Sequence, residues 1–142
     1  MAGALLLTAA TASAIPREEP TVEELKARIS DANVADKARI CVQIAEKQLA
    51  ATDKLYASDE VEKAQPALTD VVAYSELARD YSIQSRKHQK QIEISVRTMT
   101  RKLNELLHTL GGEDQRPVRD AINRLERVRD DLLMSMFPKG VK

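Results

Sequence analysis

Glu105-Leu106-Leu107-His108 is an E-x-x-H run, a spacing that sets a carboxylate and an imidazole on one side of a helix. Carboxylate-bridged di-iron bundles use that spacing, but they need two such runs and two further glutamates, all aimed inward. This sequence has one run, and Glu105 and His108 fall on the side of the helix away from Leu103, Leu106 and Leu110. A solvated surface pair is expected, with no metal. The other histidine, His88, would lie about 30 Å from His108 along a helix, too far to share a ligand within one molecule. Cys41, the single cysteine, has no internal disulfide partner. It sits among apolar residues and is expected to be buried and inert, since thiol reactivity needs an exposed, electropositive setting. No glycine-rich phosphate loop and no G-x-S-x-G elbow occurs. The expectation is a non-catalytic chain that carries no cofactor.

Charge is patterned although it sums to zero, with 22 basic and 22 acidic residues in a chain of 142. Asp53 to Asp80 holds seven acidic against three basic residues, whereas Arg86 to Lys102 holds six Lys or Arg against Glu93 alone. Arg86, Lys90, Arg97 and Arg101 fall within an arc of about 60° on a helical wheel. They read either as a solvated face with Glu93 as neutraliser, or as a docking stripe for an acidic partner such as the acidic hairpin of a second copy. Neutral overall charge and scarce aromatics, one Phe, three Tyr and no Trp, argue against nucleic acid. Ile83 and Ile94, eleven positions apart, stack within about 20° of each other and point away from the main apolar stripe. They are ordinary exposed residues or mark a second contact.

The elements that must position these groups are helices. Thr21-Val22-Glu23-Glu24 is a capping box that opens a short helix to about Asp31. After a break at 33–36, a second helix runs to about Ala57, and its apolar arc of roughly 200° implies burial from two sides. Ala57-Ser58-Asp59-Glu60 makes a turn, and Val61 restarts the helix. The passage Leu55-Tyr56 through Asp59-Glu60-Val61-Glu62-Lys63-Ala64 resembles the helix-turn-helix half of a tetratricopeptide repeat. The likeness covers one hairpin, has no second copy at the ~34-residue period and implies no function. Pro66 should bend or delimit the first turns that follow. From Leu68 to Leu110, apolar or small residues recur at alternating steps of three and four, a seven-residue repeat typical of coiled-coil-like packing. Gly111-Gly112 stops this stretch, and Pro117 opens a last helix to about Phe137.

The expected fold is therefore all-α. It is an elongated antiparallel helical bundle with a short N-terminal helix, a second helix, a very long central helix over 67–110 and a last helix. The central helix would be about 66 Å long and the second and last about 36 and 31 Å, so the two shorter ones would lie end to end along it. Their junction would leave a notch at Ser82, Ser85, His88 and Gln89, flanked by Arg86 and Lys87. The competing arrangement breaks the central helix near 84–91 and folds its halves into a compact bundle. Neither Gly nor Pro stands there to demand it.

Residues 1–14 read as a signal peptide, uncharged and apolar around Leu5-Leu6-Leu7 and ending in the small-x-small run Ala12-Ser13-Ala14. A linker at 15–20, one helical domain at 21–137 and a tail at 138–142 complete the organisation. The apolar run is shorter than the ~20 residues a transmembrane helix needs. Export to the periplasm or the exterior is expected. The functional expectation is a helical protein–protein interaction module, an adaptor, assembly or chaperone-like part, whose partner is another protein or a second copy. The alternative is a bundle that binds a small ligand or ion between its helices.

Overall fold

A computed structural model describes residues 19–138. The expected signal peptide and most of the linker and tail lie outside these residues. The described residues fold into five α-helices: α1 (Val22–Ile29), α2 (Val34–Ala57), α3 (Val61–Ser85), α4 (Gln89–Thr109) and α5 (Gln115–Met136), the last entered through a 3-10 turn at Gly112–Asp114. Among the described residues no helix is long and apolar enough to cross a membrane.

Local chemistry sets most of the ends. The Thr21 hydroxyl accepts from the Glu24 N–H at 3.2 Å, and the Asn33 side chain accepts from the Asp36 N–H at 2.9 Å. Each supplies a partner to an N–H that the first turn leaves free. The break read at 33–36 is thus the cap of α2. At its other end the Glu60 N–H donates to the Leu55 carbonyl at 2.8 Å and the Asp59 N–H to Tyr56 at 3.1 Å. This is the paired closure that requires a left-handed residue, supplied here by Asp59 at φ 58°. Pro66 falls inside α3 and neither starts nor stops it.

The single long helix expected over 67–110 is two helices. Arg86 (φ 57°) and His88 (φ 65°) are both left-handed and reverse the chain, while the Ser85 hydroxyl accepts from the Lys87 N–H at 3.3 Å. Each non-glycine residue in that region costs about 1 kcal/mol or more. Packing offsets the cost. An extended α3–α4 rod would leave much of its stripe in water, whereas the reversal buries Val71, Ser75, Ala78 and Ser82 of α3 in one bundle with Ile92, Val96, Met99 and Leu103 of α4. The end-to-end arrangement of shorter helices, and the notch between them, is therefore replaced by a turn.

α2 and α3 form the closest pair, α4 packs on α5, and α3 and α5 join the two pairs. The α3–α5 seam is bridged by Glu76 to Arg124 and by Arg79 to Asp131. α1 lies on α2 through Leu25, with the Lys26 ammonium 5.5 Å from the centre of the Tyr74 ring. Cys41 is fully buried, as expected.

Candidate functional site

α4 meets its two neighbours in different ways. Toward α5 it carries Glu93, only 3% exposed. Its carboxylate accepts from Arg97 Nε at 3.2 Å and Nη2 at 2.7 Å on the same helix, and from Arg129 Nε at 2.8 Å on α5. Hydrogen bonds from Arg97, and then from Arg129, hold the Glu93 pKa below its usual value against the opposing effect of burial. Glu93 thereby fixes the rotation of α4 about its axis. The next residue, Ile94, is turned toward α2 and is 45% exposed.

Toward α2 the packing opens. α2 and α4 touch sparingly, and between them runs a groove of roughly 670 Å³. Leu49, Met99 and Leu106, all nearly buried, form its floor. Ile94 and Ala50 add apolar surface to its lining. Glu46, Asp53 and Glu105 alternate with Lys54 and Lys102 along the rims. The groove spans Ile94 to Thr109 of α4, about 22 Å of helix. An apolar trench with mixed charges on both edges can hold an amphipathic helix laid along it.

The residues singled out from sequence are dispersed. Ile83 and Ile94 do not share a surface, because the turn at 86–88 separates their helices. Ile83 is half-buried and borders a hollow with Arg86, Gln89, Ser135 and Met136, whereas Ile94 faces α2. Arg86 stands in the turn and is exposed. Lys90 and Arg101 are exposed on α4, and Arg97 is exposed but committed to Glu93. Ser82 is buried, its hydroxyl donating to the Arg79 carbonyl at 2.9 Å. Ser85 and His88 are half-buried in the turn, and Gln89 donates to the Ser135 hydroxyl at 2.6 Å. Glu105 lies on the groove rim, and His108 is exposed.

Two features were missed in sequence. Glu93 reads as a surface neutraliser because its spacing to Arg97 is that of any i,i+4 pair, and Arg129 is remote in the chain. The groove has a partial signal, the apolar arc of α2 that is wide enough for two neighbours. Burial pushes the Cys41 thiol up to about 11, with Lys37 opposing weakly. The Tyr56 hydroxyl is buried without a hydrogen-bond partner, and burial, then Asp114, raises its pKa. Among the described residues no three His, Cys, Asp or Glu side chains are grouped to hold a metal ion. No protein-family model, curated protein or solved structure matches this chain.

Proposed function

We propose that this protein is a non-catalytic, exported helical interaction module, an adaptor, assembly or chaperone-like part, that receives an amphipathic helix of a partner protein in the α2–α4 groove. The observation that carries the reading is the groove itself: an apolar floor between two helices that pack closely elsewhere but not with each other. Anchors at i, i+3, i+4 and i+7 of a docked helix would cover Leu49, Ile94, Met99 and Leu106, and its flanks would meet rims of both signs. Balanced rims select by arrangement of charge rather than by net attraction, which suits a protein partner better than nucleic acid. Within this reading the spacing of Ile92, Val96, Met99, Leu103 and Leu106 supports coiled-coil-like packing of α4 in the bundle. Export rests on the small-x-small run at 12–14.

A second reading rests on the groove volume, which falls within the several hundred Å³ usual for small-molecule sites. A photo-crosslinking residue in place of Thr98, on tagged protein in its native host, separates the two. An adduct to one polypeptide, mapped to an amphipathic stretch and abolished by Ile94→Asp, supports the module. A small-molecule mass retained in native mass spectrometry, with no polypeptide adduct, supports the second reading.

A further inference from the structure

The path of the chain gathers opposite charge at two ends of the fold. Glu76 of α3 pairs with Arg124 of α5, and Arg79 with Asp131, so α3 and α5 run in the same direction and begin at the same end. That end holds the α2–α3 turn and the 3-10 turn before α5, with Asp59, Glu60, Glu62, Glu113 and Asp114 against Lys63 and Arg116. Lys63 is already paired with Glu60 at 3.2 Å. The opposite end holds the α3–α4 turn, tied to the last turn of α5 by the Gln89–Ser135 hydrogen bond at 2.6 Å. Arg86, Lys87 and Lys90 are exposed there, and residues 86–92 include no acid. The α1–α2 corner at this end sets Arg28 and Arg39 against Asp31 and Asp36, which leaves the balance unchanged. Met134 and Phe137, 60% and 70% exposed, are the most exposed large apolar side chains among the described residues. They stand at this same end, on the uncharged stretch 132–138.

We infer that this protein associates with itself head to tail, the end bearing Arg86, Lys87, Lys90 and Phe137 of one copy docking on the acidic end of the next. The two surfaces are different, so the contact is heterologous and repeats along a row rather than closing in a pair. Opposed charge steers the ends together and sets their register, while like ends repel. Phe137 and Met134 supply the apolar contact. They lie against Gly111-Gly112 of the next copy, where nothing stands within 4 Å of the place a side chain would begin, between half-buried Leu110 and Pro117. Neighbouring helices lie about 10 Å apart, so the end of four of them offers roughly 400 Å² per copy. Each contact therefore belongs to the small, transient class, below ~1,200 Å² in total. The row forms in concentrated protein at low ionic strength and dissolves in salt. The contact does not use the α2–α4 groove and does not depend on what occupies it.

The test is sedimentation velocity on the full 142-residue chain over a range of concentration and salt. The expected result is a mass at low ionic strength that rises with concentration past that of a dimer and returns to the monomer in high salt. Lys87→Glu/Lys90→Glu and Glu62→Lys/Glu113→Lys should each weaken association at least ~10-fold, because like charges then meet, and an equal mixture of the two variants should restore it. Phe137→Ser should weaken it several-fold, and Ile94→Asp, in the groove, should leave it unchanged. All of these positions are exposed, so the fold stays intact, which circular dichroism checks. A monomer at every concentration, a dimer that grows no further, or a mixture that fails to restore association overturns the inference. So does association indifferent to Phe137→Ser or to either charge reversal. Loss of association in Ile94→Asp overturns it too, and places the self-contact in the groove. Vesicles of phosphatidylglycerol test the other surface that a basic apolar end could meet. Protein that stays monomeric but binds them, and loses that binding in Lys87→Glu/Lys90→Glu, overturns the inference and assigns this end to a lipid surface.

Discussion

The α4–α5 seam and the α2–α4 seam share one helix and nearly the same residues in sequence, since Glu93 serves the first and Ile94 the second. In the first, a buried carboxylate is held by guanidinium groups from both helices and the apolar side chains of α4 and α5 close over one another. In the second, an isoleucine is left half in water beside a nearly buried floor. The chain therefore places its charged group where neighbours satisfy it and its apolar group where none covers it. The closed seam reads as architecture, and the open one as surface kept for something else.

Substitutions sharpen that contrast. The largest effect is expected at Leu103, fully buried on α4: Leu103→Ala should cost about 2–5 kcal/mol in urea unfolding, because a cavity is left in a packed core. Glu93→Ala should cost less, about 1–3 kcal/mol, because Arg97 and Arg129 are partly exposed and water can receive them. A loss under half a kcal/mol would mean that the Glu93 lock contributes nothing and the two seams do not differ in kind.

The same carboxylate makes the closed seam sensitive to acid. Its folded pKa lies below its unfolded value, so its contribution is complete above the ordinary carboxylate range and is lost as pH falls through the lowered value. Stability measured from pH 6 downward should fall less steeply in Glu93→Ala than in the native chain. Parallel curves would assign the acid sensitivity elsewhere.

Cysteine chemistry compares the core of α2 with the groove. With its thiol pushed up to about 11, Cys41 should react with alkylating reagents at pH 8 at least ~100-fold more slowly than a free thiol, and fast in urea. A cysteine replacing Thr98, on the groove, should react near the free rate. Rapid native labelling of Cys41 would break the distinction. The smallest change is expected from Ile94→Asp, within about 0.5 kcal/mol of native stability, as for surface positions generally. A larger loss would show that Ile94 belongs to the core and that the groove is narrower in solution.

Much of this architecture is written locally. Helical content, the caps at Thr21 and Asn33, the turn at 58–60 and the stop at Gly111-Gly112 each depend on residues within one or two turns. Short-range hydrogen bonding and backbone freedom decide them, so sequence alone determines them. The burial of Cys41 follows in the same way from the wide apolar arc of α2. The reversal at Arg86-Lys87-His88 does not. No glycine or proline announces it, and two residues accept a disfavoured conformation because the halves on either side gain more by facing one core. That gain is non-local and has no local signature. Once the chain turned there, Ile83 and Ile94 parted, Glu93 met Arg129 from thirty-six positions away, and α2 came to lie beside α4 without closing on it. The groove exists only because of that choice of partners, which tertiary packing made and no single helix could.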